Sequence, residues 1–216
     1  MFKSLLDVHK RTTLLSDAIQ EVLDMMVRAQ RMFDLSCCQG SAEGTAQLRQ
    51  DDSDINAGER RVRRMVVQHL TMHPEQDLPT SLALISIIHD VERLGDYAKS
   101  LIELNQWGGI WSGDGERAQA CQELHESIAP MFDQVLTILK ESDADLARLV
   151  MRNHELIKKR TDELLQEVMD APGVGRDPVL FSLACRFLRR ISAHLSNVAS
   201  SVANPLDQVG GKESRT

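Results

Sequence analysis

Apolar residues recur at steps of three and four along almost the whole chain, the pattern of amphipathic helices that each bury one stripe. In the first such segment the stripe is Leu15, Ala18, Ile19, Val22, Leu23, Met26, Ala29 and Phe33, and turn formers begin at Cys37-Cys38-Gln39-Gly40-Ser41. A second helix is predicted to start near Asp51 or Asp52, acids suited to a helix N-terminus, to carry Ile55, Val62, Val66 and Leu70, and to end at Pro74. Asp77-Leu78-Pro79 opens a third, with Asp77 as expected N-cap, whose stripe Leu84, Ile87, Val91, Leu94, Ala98 and Leu101 runs to about Leu104. The fourth places Cys121, Leu124, Ile128, Met131, Val135 and Ile138 on a coiled-coil-like seam, which Pro130 is expected to kink or interrupt. The fifth is read from about Asp145 to Met169 over Leu146, Leu149, Ile157, Leu164 and Val168, closed by Ala171-Pro172-Gly173. The sixth carries Leu180, Leu183, Leu188, Ile191, Leu195, Val198 and Val202.

Between the third and fourth helices lies Asn105 to Gly115, where four glycines and two tryptophans crowd into a linker. Packing of Trp107 and Trp111 between the halves is favoured over a wet anchoring role, because large aromatics are seldom left exposed. One helix with one apolar stripe is unstable alone, so three must close round a shared core. The chain therefore reads as all-α, two tandem three-helix bundles: 1–105, a Gly/Trp linker at 106–116, and 117–207, with a disordered tail expected at 208–216.

Composition adds few constraints. With 42% hydrophobic residues but only 4% aromatics, the core must be built from Leu, Ile, Val, Ala and Met. A net charge of −7 argues against a nucleic-acid partner, which needs an excess of Lys and Arg. No apolar run nears the roughly 20 residues of a membrane span. Charged residues soon after Met1 leave no visible signal peptide, so a cytoplasmic protein, peripheral to a membrane at most, is expected. The cysteines Cys37, Cys38, Cys121 and Cys185 show no metal-knuckle spacing and are read as incidental thiols.

The third and sixth helices repeat. Placing Arg93 on Arg190, a period of 97 residues, aligns Val91 with Leu188, Leu94 with Ile191, Ala98 with Leu195 and Leu101 with Val198. The polar chemistry does not repeat: Glu92 falls on Arg189 and Asp96 on Ala193.

Asp90-Val91-Glu92-Arg93-Leu94-Gly95-Asp96 resembles the E-R-(I/L/M)-G-D motif, often preceded by Asp, on the last helix of each repeat in the PhoU family of phosphate-uptake regulators. Asp52-Ser53-Asp54-Ile55-Asn56-Ala57-Gly58-Glu59 is similar to that family's D-x-x-(I/V)-N-x-x-E. Pro74 followed by Asp77-Leu78 also fits. The resemblance implies a non-enzymatic regulator that joins a phosphate ABC transporter, through its ATPase PstB, to the sensor kinase PhoR. It further implies a homodimer and lowered starvation signalling when phosphate is plentiful.

On a helix, Glu92 and Asp96 lie about 40° apart, and Asp52, Asn56 and Glu59 likewise share a face. Carboxylates at i and i+4 repel, so a cation would relieve a cost. The resemblance places a metal (Fe, Zn, Mn or Mg) at Glu92 and Asp96, with Asp52, Asn56 and Glu59 contributing, set against solvated residues paired with Arg93 or Lys99. Both acids are read as pointing away from the apolar stripe, which makes the site superficial. In the second half, with Arg189 and Ala193 in place of the acids and Asn153-His154-Glu155 on helix five, no such site is expected. His154 and His194 are read as surface or packing residues, and the run Lys158, Lys159, Arg160, Arg186, Arg189, Arg190 as a basic surface, with Arg60, Arg61, Arg63 and Arg64 as solvated charges. Two alternatives stand beside the regulator. One is a metal-binding accessory of a different transporter. The other is a ferritin-like metalloenzyme, ranked low because no Glu-x-x-His occurs in the chain.

Overall fold

The computed structural model describes residues 13–37, 42–111, 115–171 and 175–203. The tail at 208–216, Cys38, Gly113 and Pro172-Gly173 lie outside them. Six helices follow in order: α1 (Thr13–Ser36), α2 (Ala42–Met72), α3 (Leu78–Gly108), α4 (Glu116–Glu141), α5 (Ala144–Asp170) and α6 (Arg176–Ala203), with no strand among the described residues. Every stripe residue named above for α3 and α4 is buried.

Several boundaries differ from the sequence reading, each for a physical reason. α2 begins at Ala42, well before Asp51 and Asp52. Asp51 is no N-terminal acid; it is buried at 1% exposure and holds α2 to α1 by accepting from Arg31 Nε (2.8 Å), Arg31 Nη2 (2.6 Å) and Gln47 Nε2 (3.1 Å). Asp77 sits at the N-cap of α3 in the left-handed region (φ 54°), and its side chain caps nothing. α3 runs on through Trp107 to Gly108 and stops at Gly109, whose left-handed φ of 64° lets its amide donate to Asn105 O at 2.8 Å. The linker is thus shorter than its glycines suggest. Its tryptophans also divide: Trp111 packs edge-on against His125 at 5.4 Å, whereas Trp107 is 58% exposed. α4 is not interrupted at Pro130, because buried Ile128, Met131 and Phe132 around it keep the helix docked. On α5 the predicted Ile157 and Leu164 are buried, joined by Ala147, Val150 and Thr161, whereas Leu149 is exposed. The Thr161 hydroxyl is satisfied there by donating to Lys158 O at 2.8 Å. Asp143 caps α5 by accepting from the Asp145 and Leu146 amides.

Cross-helix contacts fix the arrangement. Glu21 meets Arg61 and Arg31 meets Asp51, so α1 and α2 are antiparallel. Glu59 near His89 and Asp52 on Lys99 make α2 and α3 antiparallel too. α3 packs on α6, again antiparallel, with Asp90 against His194 and Tyr97 against Phe187. Under the 97-residue period each of these two contacts is the image of the other, so the repeats are related by a two-fold axis normal to the α3/α6 plane. α1 and α4 meet behind, where Phe33 stacks on His125. The buried apolar residues of both repeats form one continuous cluster. Within it, burial pushes the thiols of Cys121 and Cys185 up to about 12, which leaves them inert.

Candidate metal centre

Antiparallel pairing of α2 and α3 makes the site, and small residues let the helices approach. A Cβ on Gly95 would lie 3.0 Å from Ile55 Cδ1, so glycine at 95 answers a close helix crossing. One turn on along α2 and one to two turns back along α3, Glu59, His89 and Glu92 converge, one ligand atom from each lying within 4.8 Å of the others. His89 Nδ1 is 3.8 Å from Glu59 Oε1 and 3.7 Å from Glu92 Oε2. Arg93 Nε donates to His89 Nε2 at 3.4 Å, which assigns the ring proton to Nδ1, facing the carboxylates.

The cluster lies at the surface, as expected, with His89 52% exposed, but Glu92 is more deeply set. Its side chain is only 13% exposed, and its buried Oε2 has no hydrogen-bond partner. Burial, followed by the charge of Asp96, raises the Glu92 carboxyl above the ordinary carboxylate range, with Arg93 partly opposing. A cation beside it would reverse that penalty, and binding through His89 Nδ1 would require the ring proton to move to Nε2 and Arg93 Nε to turn away from it.

Glu59 Oε1 also accepts from Arg63 Nη2 at 2.8 Å, and the other expected ligands have partners away from the cluster. Asp96 accepts from Arg93 Nη1 (2.8 Å) and Asp52 from Lys99 Nζ (2.9 Å). Asn56 turns its amide onto Asp52 O (2.9 Å). Of the five residues expected to bind metal, the structure brings Glu59 and Glu92 together and adds His89, which sequence reasoning missed. The available signal was spacing: His89 precedes Glu92 by three residues and so shares its face. One nitrogen with two carboxylates suits Zn²⁺, Fe²⁺ or Mn²⁺ better than Mg²⁺, which prefers oxygen throughout.

In the second repeat α6 follows α3 with the 97-residue period, while α5 follows α2 with 99, aligning buried Leu48 with Ala147 and Val62 with Thr161. Glu59, His89 and Glu92 then fall on Lys158, Arg186 and Arg189. The Ile55–Gly95 contact becomes His154–Ser192, joined at 2.9 Å from Nδ1 to Oγ. His154 is held below its ordinary pKa, chiefly by burial. His194 stacks on Tyr97 and pairs with Asp90 at 2.7 Å, so both histidines are packing residues of the helix seams. Asp90, the first residue of the acidic motif, therefore joins the repeats and lies outside the cluster.

A family model for the PhoU domain matches this chain twice, over residues 15–104 and 121–202. The chain belongs to the PhoU family. A relative from Synechocystis sp., described as a phosphate-specific transport system accessory protein PhoU homolog, is 26% identical over 196 residues, spanning 85% of each chain. The crystal structure of PhoU from Pseudomonas aeruginosa superimposes with a TM-score of 0.74 at 22% identity, covering 94% of this chain and 97% of that one, and shows that the PhoU fold is shared. Among the described residues no helix of this PhoU-family chain is long and apolar enough to cross a membrane.

Proposed function

We propose that this PhoU-family chain is a non-enzymatic accessory protein of a phosphate transport system. It acts in the cytoplasm by binding the transporter ATPase and a sensor kinase, and it lowers starvation signalling when phosphate is plentiful. The observation that carries this reading is the double PhoU match, together with a relative that aligns over most of its length and is described as a transport-system accessory protein. The chemistry of the chain is compatible with it: among the described residues Glu59, His89 and Glu92 converge in one groove that suits a held cation. Glu59, His89 and Glu92 would hold that metal, which supplies positive charge where two carboxylates and a ring meet. Deleting the gene from its host is expected to raise phosphate-starvation reporter output in high phosphate, and restoring this chain to lower it. Unchanged output on deletion would contradict the regulatory role.

A further inference from the structure

The α2/α3 groove already holds positive charge of its own. Arg63 Nη2 donates to Glu59 Oε1 at 2.8 Å. Arg93 Nη1 donates to Asp96 Oδ2 at 2.8 Å, and its Nε lies 3.6 Å from Glu92 Oε2 and 3.4 Å from His89 Nε2. Two guanidinium groups therefore face three acids, Glu59, Glu92 and Asp96. The charges to either side belong elsewhere. Asp52 pairs with Lys99, next to Glu103, and Asp90 pairs with His194 of α6. Arg60 and Arg64 are exposed and make no ion pair among the described residues. Within the cluster the acids lie inside and the cations outside, with Glu59 18% and Glu92 13% exposed against 52% for Arg63 and 43% for Arg93. Arginines so placed can withdraw their charged ends into water while their stems stay on the protein.

The second repeat closes the same positions differently. Under the periods of 97 and 99 residues Glu92 falls on Arg189 and Arg63 on Asp162, and Arg189 Nη1 donates to Asp162 Oδ1 from α6 to α5. The first repeat carries that pair with its charges reversed. Yet Arg63 stays on Glu59 of its own helix, and Glu92 Oε2 has no hydrogen-bond partner. A buried carboxylate oxygen without a hydrogen bond is costly. The second repeat shows that a charge-assisted bond between these two positions is within reach. The first repeat instead keeps an open acceptor behind two half-exposed guanidiniums.

We propose that Arg63 and Arg93 stand in for the metal in the metal-free chain and compete with it for the cluster, so that these two residues set how tightly a cation is held. The inference rests on the reading of Glu59, His89 and Glu92 as metal ligands. Two carboxylates and one divalent ion are neutral together, which makes both guanidiniums surplus positive charge once the ion is bound. Arg63 must then yield Glu59 Oε1, and Arg93 must leave His89 and Glu92. A monovalent ion brings less charge than the two guanidiniums it would displace, so the arrangement favours divalent ions. A guanidinium about 6 Å from a divalent ion weakens its binding by about tenfold even at the dielectric of water.

Calorimetric titration of the metal-free full chain with zinc alone is the test. Arg63→Gln and Arg93→Gln should each bind zinc about tenfold more tightly than the parent, and the double variant more tightly than either. Arg93→Lys keeps the charge and should bind close to the parent. Without metal both Gln variants should melt below the parent, and saturating zinc should raise their melting temperatures by more than it raises the parent's. A packing role alone would lower stability and affinity together. Circular dichroism checks that each variant folds; Arg63→Gln, which alters an exposed pair within one helix, carries the test if Arg93→Gln does not fold. Zinc binding by the Gln variants that matches or falls below the parent's overturns the proposal while the metal centre stands. So does tightening in Arg93→Lys equal to that in Arg93→Gln, since charge would then not be what competes. A parent that binds no zinc overturns the metal reading and this proposal together.

Discussion

Alanine at Glu59, His89 or Glu92 is expected to weaken binding of zinc or ferrous iron by more than about 100-fold, whereas alanine at Lys158, Arg186 or Arg189 leaves it unchanged. The magnitude follows because removing even a partner outside the ligand shell costs about 10–100-fold, and these three supply the ligand atoms themselves. Titration calorimetry and metal analysis of the purified chain measure it; equal metal content in parent and variants would remove the site. A second arm reads the same carboxylate without metal. The Glu92 carboxyl is raised in the folded chain, chiefly by burial and next by Asp96, so its ionised form is disfavoured there relative to the unfolded chain. That penalty is complete above the folded pKa and absent below the unfolded value of about 4.3. Metal-free Glu92→Gln should therefore be more stable than the parent at neutral pH, with the advantage vanishing as pH falls through the folded pKa toward that value. Saturating metal should reverse the order, since it stabilises only the chain that binds it, by about 2.7 kcal/mol at a hundred times its dissociation constant.

Phe33→Ala is expected to cost about 3–5 kcal/mol and to lower the melting temperature by about 10–15 °C for a chain of this size. Phe33 is fully buried, stacks on His125 at 4.2 Å with the rings 9° from parallel, and lies 5.3 Å from the Phe132 ring. Its own carbonyl is 3.2 Å from His125 Nε2. Trp111 packs edge-on against that imidazole, so one aromatic cluster joins α1, α4 and the connection between the repeats. Truncation would leave a cavity in a core that both repeats share. Thermal denaturation followed at Trp111 should report a shifted transition; a change below about 2 °C would show that the junction carries little of the stability.

Much of this fold is legible in the sequence because Leu, Ile and Val recur at helical spacing, as in α3 and α4. Where inward residues are small or polar, the pattern misleads. α5 buries Ala147 and Thr161 while Leu149 and Leu156 stay exposed, and no propensity distinguishes these faces before α6 is in place. Asp51 reads as a helix start because acids favour N-termini, yet its burial depends on Arg31 from another helix. The same limit applied to the candidate site. Glu59 and Glu92 stand out through their motifs, but their convergence with His89 depends on the pairing of α2 with α3. That pairing also sends Lys99 to Asp52 and leaves Arg93 for Asp96. The inversion of charge in the second repeat, by contrast, was visible once Arg93 was laid on Arg190.

Affinity capture of the tagged full chain from its own host, grown in high and in low phosphate, tests the accessory role most directly. Recovery of a phosphate-transporter ATPase and a sensor kinase is predicted, with the phosphate supply changing how much of each is held. Recovery of neither under both conditions would contradict it.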